Sequence, residues 1–395
     1  MIRRSCIAIV ITAIYCFSSN NPPSEQPYRL VWHGNIGHGS DILVEHRPCN
    51  RVPSLVPDNW CLDDSMVPRY MGDNDDMNKS IDVKLYTYDG YNNCLANKTV
   101  VFIGDSRVRY QYMHLASYLK TKKFMKCDDQ SPYKSNTKND KECLLTYIDY
   151  GGKRDWRTWF KESTSMIEDF SDNNNNNASS TEEVQSSLCD CWRDNNQGGP
   201  LTSIENRYTR RRTKYGTINL VYLSAQIGIV DINHDFPPFT SFSSTSRCEP
   251  GDCSPENNNN NRYRGDVNTT LWEILPRLNA THAFINLGWE HKYPFTNQSD
   301  FTCVMEKFMQ KHPTIKLHLI SHPPTVLNVP DPQQMFNLNK LKCKVDVLDR
   351  TTMNKNVPIT SEGSFYASWY YDSVHVISIL NEEYNHQLVK KICPI

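Results

Sequence analysis

Apolar runs and segments of helical spacing alternate along most of this chain. The clearest run is TVVFIG at 99–104, whose β-branched residues are typical of a buried strand. Residues 107–120 follow it with apolar side chains near helical spacing. Further elements of these two kinds are predicted as strands at 144–148, 218–223, 283–287 and 316–320, and as helices at 301–311 and 377–392. The alternation predicts an α/β domain whose mainly parallel sheet is covered by helices on both faces.

The first residues have the order of a secretory signal peptide. Within 1–20, Arg3 and Arg4 give a basic start, residues 5–17 carry no charge, and small polar residues follow. A membrane-spanning helix needs about 20 apolar residues, so the uncharged stretch is short for an anchor. Cleavage is therefore the preferred interpretation and retention as a signal anchor the alternative. Either one places the rest of the chain in the secretory pathway, in the Golgi lumen or outside the cell.

The remaining chain divides into an extension and one domain. Residues 21–93 are rich in proline, and Cys49 and Cys61 within them predict an irregular extension stapled by disulfides. Residues 94–395 carry the α/β rhythm without an internal repeat. Two asparagine runs are interpreted as surface insertions in this domain, at 173–177 and 257–261.

The cysteines and glycosylation signals agree with a secreted chain. Of the 14 cysteines, Cys6 and Cys16 lie in the signal segment, which leaves an even number expected to pair in the lumen. The triplet Cys189-Asp190-Cys191 has the composition of a metal site, but a disulfide is preferred in this compartment, and no metal is expected. Six Asn-x-Ser/Thr triplets are candidate glycosylation sites, headed by Asn78, Asn97, Asn177, Asn268, Asn279 and Asn297.

Composition and charge exclude two classes of protein. The 43 Lys and Arg residues are balanced by 44 Asp and Glu, so no nucleic-acid partner is expected. Apolar residues at 38% are too plentiful for a disordered chain. Two short motifs are discounted: the adhesion-like tripeptide at 264–266 as a chance match, and Arg210 to Arg212 as a solvated loop in preference to a contact for acidic sugars.

The first motif with chemistry is Gly104-Asp105-Ser106, where the predicted strand gives way to the predicted helix. A serine there lies at the carboxyl edge of the sheet, the usual place for sites in open α/β folds. Its backbone N–H belongs to a helix N-terminus and can stabilise a developing oxyanion. The alternative is an ordinary helix N-cap, for which Asp and Ser are both favoured.

The second motif is Asp372-Ser373-Val374-His375, just before the closing helix. A serine hydroxyl needs a base, most often histidine, and the imidazole needs a carboxylate to fix its tautomer. Asp372 and His375 can supply both to Ser106. A helix-start cap beside a surface histidine is the alternative for this motif alone, but the order of the two motifs along the chain is more specific than either one.

This order resembles that of the SGNH/GDSL hydrolase superfamily. The branch in question has Gly-Asp-Ser early and Asp-x-x-His late, and includes the PC-esterases, the trichome-birefringence-like polysaccharide O-acetyltransferases and the lumenal domain of the sialate O-acetyltransferases. The last group is matched by NCL at 93–95, Lys98, VFIGDSRVR at 101–109, DSVH at 372–375 and Cys393 near the end. The middle of the chain is matched by its rhythm alone.

The resemblance implies a three-layer SGNH-like fold and a role for each motif residue. Ser106 would be the nucleophile, His375 the general base and Asp372 its orienting partner. Oxyanion donors would be the Ser106 amide with Asn286 or Gly288, although the family's Gly-x-Asn is replaced here by Asn286-Leu287-Gly288. The family's second glycine donor has no clear counterpart, and Gly228 is a candidate.

The implied activity is O-acyl transfer or hydrolysis on glycans. Substrate contacts are predicted for Arg107, Trp289 and His322, with an ion pair as the alternative for Arg107. No bound cofactor is expected; a transferase would need an acyl donor such as acetyl-CoA or an acetyl-carrying partner. Because the sialate-type transferases continue into a membrane part not seen here, any acyl donor or feeding partner is expected to be separate, and a membrane acyl-donor protein is one candidate. A hypothesis of another class is an inactive glycan-binding or structural protein on the same fold.

Overall fold

The structure is a computed structural model of the chain. It describes residues 44–47, 49–50, 60–63, 68–70, 83–124, 156–168, 183–193, 203–225, 229–233, 262–267, 270–286, 298–321, 341–353, 376 and 378–394. The predicted signal segment, the strand at 144–148 and both asparagine runs lie outside these residues.

Strands and helices alternate through most of the described chain. The strands are β1 Val44–Arg47, β2 Cys49–Asn50, β3 Trp60–Asp63, β4 Pro68–Tyr70, β5 Val83–Tyr86, β6 Thr99–Gly104, β7 Val184–Arg193, β8 Ser203–Thr213, β9 Gly216–Ser224, β10 Ile229–Asn233, β11 Arg262–Asp266, β12 His282–Ile285, β13 Lys316–Ile320 and β14 Asp346–Leu348. The helices are α1 Tyr88–Leu95, α2 Ser106–Thr121, α3 Trp156–Ile167, α4 Leu275–Arg277, α5 Gln298–Lys311, α6 Arg350–Met353 and α7 Ser378–Ile392, with a π-helical turn Thr270–Ile274 before α4.

The main sheet has seven strands in the order β14-β13-β12-β6-β9-β8-β7. The first five are parallel to one another, and β8 is antiparallel to both of its neighbours. In the sheet, β9 lies on one side of β6, whereas the later strands β12, β13 and β14 are added on its other side. The direction of sheet growth therefore changes between β6 and β12. Such a switch point is where open α/β sheets bind their ligands, outside the carboxyl ends of the strands.

Each face of the sheet is covered by helices. Alternate residues of a strand point to opposite faces. On one face Val100 and Phe102 of β6 pack with side chains from α1, α2, α3 and α7. On the other face Val101 and Ile103 pack with side chains from the π-helical turn, α4 and α5. The prediction of an α/β domain with a mainly parallel sheet covered on both faces is confirmed.

Most predicted elements of this domain agree with the structure. The strands at 99–104 and 316–320 coincide with β6 and β13, and the strand at 218–223 lies inside β9. The helices at 107–120 and 301–311 lie inside α2 and α5, and α7 begins one residue after the start predicted for the closing helix. β12 ends at Ile285, two residues before the predicted end.

The interpretation of Arg210 to Arg212 as a solvated loop is wrong. These residues lie in β8, and Arg211 is buried, with its Nη2 2.7 Å from Glu183 Oε2. β8 was not predicted because its inward side carries polar side chains, among them Glu205, Arg207 and Thr209, all buried. A strand with this composition lacks the apolar alternation that identifies strands in a sequence. The tripeptide at 264–266 likewise lies in a strand, β11, paired with β10.

Disulfides connect distant parts of the described chain. Cys94 in α1 pairs with Cys393 beyond the end of α7, and Cys303 in α5 pairs with Cys343 before β14. The preferred interpretation of Cys189-Asp190-Cys191 is confirmed, since its two cysteines form a disulfide. The predicted start of the domain at residue 94 lies inside α1.

Short strands occupy part of the predicted N-terminal extension. β1 pairs with β5, and β2, β3 and β4 form a three-stranded sheet. Trp60 of β3 is fully buried, and its Nε1 donates a hydrogen bond of 2.6 Å to the carbonyl of Met353. Cys61, its neighbour, is also disulfide-bonded. The hydrogen bond of Trp60 joins the strand to the end of α6.

Two surface features bear on the secretory predictions. Asn97 and Asn279 are exposed and precede β6 and β12, at the edge of the sheet opposite its carboxyl ends. The other four predicted glycosylation sites lie outside the described residues. None of the helices in the described part of the chain is both long and apolar enough to span a membrane.

Candidate active site at the carboxyl edge of the sheet

Polar residues follow several neighbouring parallel strands at the carboxyl edge of the sheet. Asp105 and Ser106 follow β6, Asn286 follows β12 and Ser321 follows β13. Backbone hydrogen bonds continue the sheet to this edge: the Asn286 N–H donates to the carbonyl of Ile103 at 2.8 Å. The predicted motif and Asn286 are therefore neighbours, on the two sides of the switch point between β6 and β12.

Asp105, not Ser106, caps helix α2. Its backbone is extended, and its carboxylate accepts a hydrogen bond of 3.0 Å from the N–H of Arg107. Ser106 is the first residue of the helix and is partly exposed, whereas Asp105 and Arg107 are buried. The N-cap alternative thus applies to Asp105 and not to Ser106. Ser106 lies where the helix dipole favours negative charge.

Gly104 allows the strand ends to approach each other closely. A Cβ at this position would lie 2.7 Å from Val108 Cγ2 and 3.2 Å from Asn286 Cβ. The Tyr222 hydroxyl donates toward the carbonyls of Gly104 and Asp105, at 3.1 and 3.3 Å. Burial raises the pKa of Tyr222, so the phenol stays protonated as a donor. The turn that presents Ser106 is therefore held from both sides.

We expect Gly104→Ala to destabilise the fold by roughly 1–3 kcal/mol, because the added methyl group overpacks the contact with Val108 and Asn286. Urea unfolding followed by circular dichroism measures the change. The double variant Gly104→Ala, Val108→Ala removes the closest clash and should lose less stability than the two single changes added together. Additive losses would show that the glycine matters for another reason.

Arg107 forms a buried ion pair with Asp105. Its Nε lies 3.2 and 3.0 Å from the two carboxylate oxygens, and its Nη2 also donates to Oδ2. The guanidinium is thus held by the same carboxylate that caps α2. These contacts agree with the ion-pair alternative of the sequence analysis. A substrate contact for Arg107 stays a prediction.

Asn286 is fixed beside the glycine. It is 1% exposed, and its Nδ2 donates a hydrogen bond of 3.0 Å to the carbonyl of Ile320 in the next strand. The side chain thus lies at the height of the Gly104-Asp105-Ser106 turn. Its proposed role as an oxyanion donor stays a prediction.

The other predicted site residues lie outside the described residues. They are the predicted general base His375 with its partner Asp372, the oxyanion candidates Gly228 and Gly288, and the substrate contacts Trp289 and His322. The residue after His375 is described: Val376 is buried, and its carbonyl accepts from Asn381 Nδ2 at 3.4 Å. The distance between Ser106 and His375 stays a prediction.

A buried charge network that was not predicted lies one turn along α2 from the serine. Arg109 Nη1 and Arg207 Nε both lie 2.7 Å from oxygens of Glu205. The two guanidinium carbons lie 5.0 and 4.8 Å from the ring centre of Trp159, and Arg207 Nη2 also donates to Ser163 Oγ at 3.1 Å. The network joins α2, α3 and β8. Glu205, Arg207, Thr209 and Arg211 recur at every second position, which was the available signal for a polar strand face.

No known protein family, curated protein or solved structure matches this chain. The likeness to the SGNH superfamily accordingly rests on the residues themselves. Within the ranges that the structure describes, no three His, Cys, Asp or Glu side chains are grouped to hold a metal ion. What the described edge offers chemically is a partly exposed serine hydroxyl at a helix N-terminus, with a buried amide beside it.

Proposed function

We propose that this protein is an SGNH-type serine enzyme of the secretory pathway that transfers or hydrolyses O-acyl groups, chiefly acetyl, on glycans. The observation that carries the proposal is the position of Ser106. It is partly exposed at the first turn of α2, directly after β6, and Asn286 lies beside this turn at the end of the adjacent strand. A nucleophile and a donor on the two sides of a switch point suit acyl transfer.

The proposed reaction has two steps. Ser106 Oγ attacks the carbonyl carbon of the ester while His375 takes the hydroxyl proton, and Asp372 holds the imidazole in the required tautomer. The oxyanion that forms accepts hydrogen bonds from the Ser106 amide and from Asn286 or Gly288. The alcohol leaves with the proton from His375, which gives an acyl-enzyme. Water or a sugar hydroxyl then attacks this ester, His375 again takes the proton, and Ser106 is released.

The substrate side of the proposal rests on residues near the two motifs. Along the sequence Trp289 follows β12 and His322 follows β13, and an aromatic face beside a sugar ring suits glycan binding. Arg107 donates to Asp105 through Nε and Nη2, so a substrate contact of this residue would use its remaining nitrogen, Nη1. A transferase would take its acyl group from acetyl-CoA or from a separate membrane protein that carries the acetyl group.

The secretory location is supported by the signal-like order of 1–20 and by disulfides among the described cysteines. Disulfides persist in oxidising compartments, which include the lumen of the secretory pathway and the outside of the cell. Exposed asparagines at two Asn-x-Ser/Thr triplets, Asn97 and Asn279, suit glycosylation there.

The test is to incubate the purified protein with an activated acetyl ester, with and without a glycan acceptor. Acetylated glycan would establish a transferase, and acetate alone an esterase. A serine-directed fluorophosphonate probe should label Ser106 in either case, which peptide mass spectrometry can locate. If neither turnover nor labelling is seen, the enzyme proposal fails and the inactive glycan-binding alternative takes its place.

A further inference from the structure

Helices α2 and α7 meet through an unusually polar contact. Both helices lie on the same face of the sheet and share one core. The buried polar side chains of the two helices include Gln111, His114, Ser117, Asn381, Glu382, Glu383, Asn385 and His386. Buried polar groups seldom add stability relative to apolar ones, and their best-attested use is to fix the register of packed helices. The contact is thus suited to setting how α7 lies against α2.

Arg350 contacts both helices at once. It begins α6, directly beyond β14, and is 1% exposed. Its Nη2 donates to Gln111 Oε1 on α2. Its guanidinium carbon lies 4.5 Å from the ring centre of Tyr384 on α7, within the range of a cation–π contact. One planar side chain therefore connects the helix that carries Ser106 with the helix that follows His375.

Two amide side chains of α7 extend this connection. Asn385 Nδ2 donates to the backbone carbonyl of Gln111 at 3.1 Å. Asn381 Nδ2 donates to the carbonyl of Val376, the residue directly after His375. A short path of contacts thus runs from Gln111, five residues after Ser106, through α7 to the carbonyl of Val376, the residue after His375.

Among the described residues the guanidinium forms no ion pair within 4 Å, although the Asp105 carboxylate acts on it electrostatically. Burial lowers the pKa of Arg350 to about 10; nearby Arg107 lowers it further, whereas Tyr384 and Asp105 raise it. The side chain stays charged at neutral pH. A buried cation held by an amide and an aromatic face has few alternative positions, because losing either contact would leave a buried charge with fewer partners, which is costly.

We propose that Arg350 is a positioning residue, which holds α7, the helix that follows His375, against α2, the helix that carries Ser106. The functional half of this inference rests on the proposed function. A displacement of about 1 Å between catalytic groups can cost on the order of 100-fold in rate. Loss of the Arg350 contacts should therefore reduce turnover without much change in substrate affinity.

The test compares Arg350→Met with Tyr91→Phe. The control also removes one buried contact of α7, the hydrogen bond between the Tyr91 hydroxyl and His386 Nδ1 at 2.7 Å, but this bond joins α7 to α1 and not to α2. Arg350→Met is expected to raise amide hydrogen exchange in 376–382 and to lower kcat for an acetyl ester about 10- to 100-fold, with KM changed less than about twofold. Tyr91→Phe should leave both kcat and exchange in 376–382 close to wild type.

Gln111→Leu supplies a second variant if Arg350→Met folds poorly. Both changes break the same hydrogen bond, between Arg350 and Gln111. The double variant should therefore have about the kcat of the less active single variant, and the two fold-losses should not multiply. Arg350→Lys keeps the charge but not the planar fork and should recover only part of the rate.

The two proposals fail in different ways. Wild-type protein without esterase or transferase activity would overturn the proposed function, and unchanged exchange in 376–382 for both Arg350→Met and Gln111→Leu would overturn the positioning of α7. Active wild type with kcat unaffected in these two variants would overturn the inference alone.

Discussion

Replacing Ser106 with alanine is expected to lower acetyl-ester turnover by at least roughly 1,000-fold and to abolish labelling by a fluorophosphonate probe. The hydroxyl is the only group of the side chain that forms the covalent intermediate, so its loss removes the two-step route. Ser106 is partly exposed and Asp105 provides the cap of α2, so the fold should be retained. Kinetics with an activated ester, together with circular dichroism, measure both effects.

Ser117→Ala is the matched control for this change. Ser117 lies on the same helix but is fully buried, eleven residues beyond Ser106. Its loss should leave probe labelling and kcat near wild type. His375→Ala should match the rate loss of Ser106→Ala, because the serine and its base act as a unit. A Ser106→Ala variant with appreciable turnover would move the nucleophile elsewhere and end the proposed mechanism.

The central strands could be predicted because their residues are buried on both faces. β6 is an almost continuous apolar run because every one of its residues is buried, and β13 is identified by its buried Leu317, Leu319 and Ile320. β8 could not be predicted in the same way, since its Glu205 and Arg207 occupy inward positions that are normally apolar. Glu205 and Arg207 pair within the strand, but Arg109 joins them only when α2 packs against it, so the complete network depends on tertiary contacts.

The site could be predicted as far as it depends on the order of strands and motifs. Parallel strands that are neighbours end at the same edge, so Ser106 and Asn286 come together once β6 and β12 pair. The sequence could not reveal that Tyr222 supports the turn, because that contact joins residues more than one hundred positions apart. An ion pair of Arg107 could be predicted because a positive charge at a helix N-terminus opposes the dipole and needs a compensating partner.

Glu205→Gln is expected to destabilise the fold by roughly 3–5 kcal/mol, since removing one member of a buried ion network leaves uncompensated charge. Glu205 is 4% exposed and accepts from both Arg109 and Arg207, whose side chains are 3% and 1% exposed. A glutamine of nearly the same shape can accept from one guanidinium but neutralises neither. Urea unfolding with the disulfides intact gives the free energy of unfolding.

Asp89→Asn serves as the control, because it breaks the exposed pair of Asp89 with Lys214 and should leave the stability unchanged. A triple variant separates charge from packing: with Glu205→Leu, Arg109→Met and Arg207→Met together, no buried charge of the network remains. Replacement of a complete buried network by apolar residues is often neutral or stabilising. The triple variant should therefore be more stable than Glu205→Gln. If it is less stable, the contacts of the guanidiniums with Trp159 and Ser163 contribute more than the charge balance, and the penalty for Glu205→Gln has a different origin.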